Sequence, residues 1–256
     1  MPFDIIIYSV SCNIESSKGE LKMKLALKTV NATGRHTASV IFFHGSGDTG
    51  PGVLEWVRFV LGRNLEYPHI KIIYPTAPLQ KYTPMDGELS NVWFDRKSIN
   101  IAAGEHKRSM SQCYDSINQL IEDEVASGIP LNRIVVGGFS MGGAVALHTG
   151  YHLKPELAGV FAHSSFLNRG SVVYESLQDR PEGSALPELR MFHGERDTLV
   201  PPDWGMETFD NLKNLGVEGT FHPLKNTLHE LKTASLTDLD KWIKEKLPED
   251  QVPNKL

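Results

Sequence analysis

The chain has 256 residues, of which 40% are hydrophobic and 22% charged, and its formal net charge at pH 7 is −5. The acidity, with a pI near 6.1, argues against nucleic-acid binding, because contacts to phosphate need a basic surface. No run of 18 apolar residues is present, so no membrane-spanning helix is predicted.

The cysteine content and the first residues favour a cytoplasmic protein. Cys12 and Cys113 are too few for a disulfide scaffold. The apolar stretches 3–8 and 23–27 are too short for the apolar region of a secretory signal. Residues 1–24 are interpreted as an N-terminal arm of uncertain order, and residues 25–256 as a single domain.

The first regular element is the apolar run Val40–Phe43, which predicts a buried strand. A glycine-rich loop, His44–Gly50, follows it. The loop lacks the Gly-Lys-Ser/Thr ending of a phosphate-binding loop, and it is better interpreted as half of an oxyanion hole, with the Ser46 amide as donor. His44 and Asp48 could be catalytic, but the simpler interpretation is that both hold the loop by hydrogen bonds.

The next stretch contains a predicted wall of a substrate cleft. Apolar spacing from Leu54 to Leu65 predicts a helix, and 70–74 predicts a strand that ends at Pro75. From Pro75 to Gly104 the chain reads as one long irregular loop, and such loops are commonly functional. Trp93 is our candidate for substrate contact; the alternative is that Trp93 and Phe94 simply cap the core.

The centre of the chain carries the strongest motif. A helix is predicted over 105–127, with Cys113 in its apolar stripe and therefore in the core. A short strand, 134–136, then leads into the pattern Gly-x-Ser-x-Gly around Ser140 and a run of small residues. Strand, pattern and helix together predict a nucleophile elbow, with the Met141 amide facing an oxyanion beside Ser140. The alternative is a serine in an ordinary glycine-rich turn.

Strands and helices continue to alternate after the elbow. Strands are predicted over 159–162, 189–192 and 219–224, and helices over 204–215 and 231–247. This alternation predicts an α/β protein with a mostly parallel central sheet and helices on both faces.

A serine nucleophile needs a base, and the base needs an orienting carboxylate. His229 follows the last predicted strand, where this fold places its base, and is preferred over the histidines inside helices and strands. Asp197, in the loop after strand 189–192, is the predicted acid. Glu195 is the rival in the same loop, and Asp203 is interpreted as the N-cap of the following helix.

These motifs resemble the acyl-protein thioesterase and lysophospholipase group of carboxylesterases, with lysophospholipase-like members the most similar. The resemblance spans about Ala38 to Leu247 and rests on five segments: 43–50, 74–78, 93–95, 138–143 and 193–197. It implies an α/β-hydrolase fold, a triad of Ser140, Asp197 and His229, and oxyanion donors at Ser46 and Met141.

The resemblance also implies cleavage of acyl esters or thioesters through an acyl-serine, without cofactor or metal. Substrates are expected to be acylated small molecules or S-acylated proteins. Because Ser46 stands where thioesterases usually have an apolar residue, short acyl chains are expected, with depalmitoylation as a further possibility. The alternative is a catalytically silent protein that binds an acyl ligand or partner on a hydrolase fold. The sequence leaves the oligomeric state open.

Overall fold

The structure is a computed structural model and describes residues 24–181 and 183–249. Seven described strands form one sheet in the order β1-β3-β2-β6-β7-β8-β9, and β4 and β5 form a separate hairpin. Only β1 runs antiparallel to its neighbour in the described part of the large sheet; the other pairs are parallel. The predicted α/β-hydrolase architecture is therefore confirmed.

The strands are Ala26–Val30 (β1), Ala38–Phe43 (β2), Ile70–Thr76 (β3), Leu79–Tyr82 (β4), Glu88–Asn91 (β5), Ile134–Phe139 (β6), Gly159–His163 (β7), Glu188–Gly194 (β8) and Gly219–Leu224 (β9). The α-helices are Gly50–Leu61 (α1), Lys107–Ala126 (α2), Met141–His148 (α3), Val172–Gln178 (α4), Pro202–Asn214 (α5) and Thr233–Lys246 (α6). Short 3₁₀ turns occupy Thr83–Met85 and Leu131–Arg133, and a π-helical turn occupies Thr149–Leu153.

Strand β2 shows why the sheet is covered on both faces. All six of its residues are buried, and successive side chains of a strand point to opposite faces. Ile41 and Phe43 belong to a core shared with α2, α3, α4 and α5. Val40 and Phe42 belong to a second core shared with α1 and α6. A near-continuous apolar run is therefore required here, as in other parallel sheets buried on two sides.

Several elements differ from the sequence prediction. The edge strand β1 was not predicted, because its side chains are mostly exposed and it is held by antiparallel pairing to β3. Segment 75–104, predicted to be irregular, contains the hairpin of β4 and β5. Helix α4 was also missed. Asp203 lies in the first turn of α5, whose N-cap is Pro201, so its assignment as N-cap was wrong.

The predicted N-terminal arm lies outside the described residues, except for its last residue. The extent of a single domain, 25–256, stays a prediction. Across the described ranges, no helix combines the length and the apolar character that crossing a membrane would require.

Candidate active site

Ser140 lies in the sharp turn between β6 and α3. Its backbone has φ 54° and ψ −121°, a region that non-glycine residues occupy only under strain and that is common at functional sites. Two glycines make the turn possible. A Cβ at Gly138 would lie 2.5 Å from the Phe43 carbonyl oxygen, and one at Gly142 would lie 2.2 Å from the same atom. The local geometry is therefore that of a nucleophile elbow.

Asp197 and His229 are hydrogen-bonded to each other. His229 Nδ1 lies 2.7 Å from Asp197 Oδ2, and since the carboxylate can only accept, Nδ1 carries the proton and Nε2 keeps its lone pair. The Leu199 and Val200 amides donate to the other carboxylate oxygen at 3.0 and 2.9 Å. Glu195 is exposed, and the described residues show no bond from it to His229. The structure thus joins the preferred acid, rather than its rival, to the predicted base.

The Asp197 carboxylate is buried, which by itself would raise its pKa. The hydrogen bond from His229, the Val200 amide and the neighbouring imidazoles outweigh that effect and lower the pKa below its ordinary value. The carboxylate therefore stays ionised and can stabilise an imidazolium at His229.

The His229 loop is fixed to the end of β8 by close backbone contact. The Arg196 amide donates to the Thr227 carbonyl at 2.9 Å, and a Cβ at Gly194 would lie 2.5 Å from the same carbonyl oxygen. The imidazole packs against the Phe139 ring, with centroids 4.6 Å apart. These contacts hold the base against the strand that carries Ser140.

A cavity of about 370 Å³ brings the candidate residues together, because Ser140, His229, Ser46 and Met141 all line it. The described residues show no hydrogen bond between Ser140 and His229, and such contacts are commonly long until substrate binds. The remaining lining residues come from several separate parts of the chain: Gly45, Asp48, Trp56, Tyr82, Pro84, Met85, Arg96, Ile99, Phe139, Ala144, Ser165, Phe166, Leu199 and Val200.

The two predicted oxyanion donors come from different segments, the loop after β2 and the start of α3. Met141 opens α3, where the first amides of a helix have no partner within it. The Ser46 hydroxyl lies 3.7 Å from the Met141 sulfur, so the two segments are in contact. The loop is held by a bond from the Gly47 amide to the Asn91 carbonyl at 2.9 Å. A Cβ at Gly45 would lie 3.4 Å from the Ser140 Cβ, so the loop reaches the elbow, and the role of the two amides stays a prediction.

His44 and Asp48 hold the loop, as the simpler interpretation predicted. His44 Nδ1 donates to the Gly45 carbonyl at 2.6 Å, and Nε2 accepts from the Ala77 amide at 2.9 Å. Burial lowers the pKa of His44, which keeps the ring neutral for both bonds. Asp48 accepts from the Thr49 amide at 2.7 Å.

Trp93 does not contact the cavity, so its prediction as a substrate-binding residue is corrected. The side chain is 2% exposed, stacks edge-on against Phe43 and donates to the His44 carbonyl at 2.9 Å. This bond helps to hold the loop His44–Gly50 in place. Cys113 is buried, and burial raises the pKa of its thiol to about 12, as expected for a core cysteine.

The predicted wall 75–104 does contribute to the cavity, through Tyr82, Pro84, Met85, Arg96 and Ile99, but the sequence singled out none of these side chains. Arg96, Ile99, Ser165 and Phe166 reach it from segments that are distant in sequence. Their residue types carry no motif, and only the packing of the 95–101 segment against the turn after β7 brings them together.

Comparisons with known proteins agree with this architecture. The model of the phospholipase/carboxylesterase family matches residues 26–247. Mouse lysophospholipase-like protein 1 is 51% identical over 219 residues, which cover 86% of this chain and 91% of that protein. Acyl-protein thioesterase 1 of Neurospora crassa is 36% identical over 228 residues, covering 86% and 91% respectively.

The crystal structure of Zea mays acyl-protein thioesterase 2 has a TM-score of 0.74 at 24% identity, and the match covers 87% of this chain and 99% of that one. This likeness shows the fold. The family match and the two relatives in sequence go further: the chain belongs to the phospholipase/carboxylesterase family of α/β-hydrolases.

Proposed function

We propose that this chain hydrolyses acyl esters or thioesters with Ser140 as nucleophile, His229 as base and Asp197 as the orienting acid. The observation that carries the proposal is the 2.7 Å bond between His229 and Asp197 at a cavity that Ser140 also lines. The strained backbone of Ser140 supports the same roles, since strain at a serine between strand and helix is typical of nucleophile elbows.

In the first half of the reaction, Ser140 Oγ attacks the acyl carbonyl carbon while His229 Nε2 accepts the hydroxyl proton. The Ser46 and Met141 amides donate to the oxyanion, each being worth roughly 3–4 kcal/mol in such a site. The C–O or C–S bond then breaks, and the alcohol or thiol leaves with the proton from His229. Water repeats the sequence on the acyl-serine and releases the carboxylic acid.

The size of the cavity supports a preference for short acyl chains. Its volume of about 370 Å³ lies near the lower end of the ~300–1,000 Å³ usual for small-molecule sites. The buried rings of Trp93 and Phe94 occupy the core beside it. A cavity of this volume suits a chain of a few carbons better than a palmitoyl chain.

The natural substrate is proposed as an acylated small molecule or an S-acylated protein. The Neurospora relative is an acyl-protein thioesterase, which supports the second class. The free, buried Cys113 supports a reducing, cytoplasmic location. A silent binding protein remains the rival function, but the intact bond between acid and base favours catalysis, because a binding site would not need it.

The test is a series of 4-nitrophenyl esters and matching acyl thioesters from C2 to C16, assayed with the wild type, Ser140→Ala and Ser111→Ala. Ser111 is an exposed serine of α2 and serves as the control. We expect the highest kcat/KM at C2 to C6, and a loss on the order of 10⁴-fold or more only in Ser140→Ala.

Values of kcat/KM that rise toward C16 would contradict the short-chain preference but not the mechanism. Full activity in Ser140→Ala would contradict the mechanism. A folded wild type that turns over no ester or thioester would support the silent binding protein instead.

A further inference from the structure

Arg96 places a positively charged group on the wall of the candidate active-site cavity. It lines the cavity together with Ser140 and His229. Its guanidinium carbon lies 5.0 Å from the centre of the Phe94 ring and 5.7 Å from that of Phe166. Stacking on aromatic faces fixes the plane of a guanidinium and leaves its N–H donors, which lie in that plane, free for an acceptor.

The neighbouring Asp95 does not neutralise this cation by contact. One Asp95 carboxylate oxygen accepts from the Thr83 amide and the Arg96 backbone amide, and the other accepts from the Thr83 hydroxyl. No ion pair between Arg96 and a carboxylate occurs within residues 24–249 as far as they are described. The Asp95 charge therefore acts on the guanidinium only from a distance.

Two other carboxylates near this wall also have partners of their own. Asp48 lines the cavity and accepts from the Thr49 amide at 2.7 Å. Glu105, whose backbone bridges to that of Arg96, lies 3.1 Å from His148. Neither forms an ion pair with Arg96 in the part of the chain that the structure describes, although a partly buried cation normally has a charged partner.

No side-chain hydrogen bond of Arg96 occurs among the residues that the structure describes. Its Nε is buried and has no partner among them. Burial lowers the pKa of the guanidinium, yet an arginine remains charged at any physiological pH. Two hydroxyls of residues that line the same cavity, those of Tyr82 and Ser165, are also buried without a hydrogen-bond partner in the described part of the chain. This part of the cavity therefore offers a bound group several N–H and O–H donors that the described chain does not use.

We infer that Arg96 binds an anionic group of the substrate, a carboxylate or a phosphate, within the same cavity that holds the ester. The inference rests on the proposed function, and it adds the class of substrate: a short ester or thioester that carries a negative charge a few bonds from the cleaved carbonyl. A planar guanidinium that lies over the Phe94 and Phe166 rings matches the two oxygens of such a group. The anion supplies the direct ion-pair contact that Arg96 does not make within the described residues.

The first experiment compares two matched substrate pairs with the wild type and needs no variant. In one pair, 4-nitrophenyl hexanoate is compared with the 4-nitrophenyl monoester of adipic acid, which has the same length and a carboxylate at the end of the acyl chain. In the other, monobutyrylglycerol is compared with its glycerol-3-phosphate counterpart, which places the anion on the alcohol. We expect the anionic member to have a kcat/KM about tenfold higher in at least one pair, mainly through KM.

The second experiment measures the same preference in Arg96→Met, Arg96→Lys and the control Lys97→Met. Lys97 is the exposed neighbour and does not line the cavity, so its removal changes the local charge without touching the site. We expect Arg96→Met to abolish the preference, Arg96→Lys to retain part of it, and Lys97→Met to keep it within twofold. Thermal unfolding and labelling of Ser140 by a fluorophosphonate establish that each variant is folded.

The outcomes separate this inference from the function on which it rests. A wild type that prefers the neutral member of both pairs overturns the anion site, as does an equal loss on all four substrates in Arg96→Met, which would assign the residue a structural role. If Arg96→Met does not fold, a preference that survives undiminished in Arg96→Lys counts against a bidentate contact. A folded wild type that hydrolyses none of the four contradicts the proposed function itself.

Discussion

At the residue scale, the proposed chemistry depends on which nitrogen of His229 carries the proton. The Asp197 carboxylate accepts from Nδ1 and is itself fixed by two backbone amides. It therefore selects the tautomer whose Nε2 is basic toward Ser140. Shape alone would not do this, since a neutral imidazole packed on Phe139 could adopt either tautomer.

Asp197→Asn keeps the shape of the acid but lets the side-chain amide donate to Nδ1, which forces the proton onto Nε2. We expect kcat on a short ester to fall on the order of a thousandfold or more, with KM little changed. Glu195→Gln, in the same loop but exposed, should retain activity within twofold. Steady-state kinetics measure both variants. Similar losses of kcat in the two would show that Asp197 is not the acid that orients His229.

The three triad candidates could be predicted from sequence because Ser140 and Asp197 follow strands with a clear apolar signal and because chain order restricts the role of His229, which follows the last strand. Trp93 could not, since an aromatic residue in a long loop has the same sequence signal whether it faces a cleft or the core. Arg96 was missed for a related reason: its significance comes from carboxylates that are engaged elsewhere, which is a property of the folded molecule.

At the element scale, the elbow depends on how closely β6 and α3 approach the end of β2. A Cβ at Gly142 would lie 2.2 Å from the Phe43 carbonyl oxygen and 2.6 Å from that of His44. Backbone atoms of a buried strand cannot move aside cheaply. The start of α3, and with it the Met141 amide, must shift if that position carries a side chain.

Gly142→Ala is therefore expected to reduce the free energy of unfolding by about 1–3 kcal/mol and to reduce turnover even at temperatures where the protein remains folded. Gly170→Ala is the control, because a Cβ there meets no atom within 4 Å, and it should change stability by less than about 0.5 kcal/mol. Urea denaturation and ester hydrolysis measure the two effects. Equal stability of the two variants would show that the predicted clash is absent.

Elements with strong apolar patterns, such as β2 and β6, were predictable, because a parallel strand buried on both faces must be apolar throughout. The exposed strand β1 and the hairpin of β4 and β5 were not. Their residues carry little alternation, and they are strands because neighbouring backbones supply hydrogen bonds, which a single sequence does not reveal.

At the scale of the whole molecule, one buried histidine links folding to pH. His163, at the end of β7, is 1% exposed and stacks on Phe192 with ring centroids 4.4 Å apart. Neither ring nitrogen has a hydrogen-bond partner among the residues that the structure describes. Desolvation, and secondarily the charge of His193, lower its pKa from 6.5 to about 3.

Between these two pKa values the unfolded chain binds a proton that the folded chain does not. His163 therefore has little effect on the free energy of unfolding above pH 6.5. Below that pH, it lowers the free energy of unfolding by up to ~1.4 kcal/mol for each pH unit. Between pH 7 and pH 5, the free energy of unfolding of His163→Leu should therefore fall by about 2 kcal/mol less than that of the wild type. Denaturant unfolding at both pH values measures the difference.

Phe161→Leu is the control for this prediction, because it alters the same ring cluster without changing a titrating group. It should lower stability by the same amount at both pH values. An equal loss of stability on acidification in the wild type and in His163→Leu would show that the buried imidazole does not govern the acid sensitivity.

The most direct test of the central claim is to locate the covalent adduct that forms with a fluorophosphonate. Wild-type protein treated with the probe is digested, and the labelled peptide is identified by mass spectrometry. A single adduct on Ser140, slowed strongly by His229→Ala and by Asp197→Asn, is the predicted result. An adduct on another residue, or labelling of Ser140 at the wild-type rate in both variants, would contradict the account.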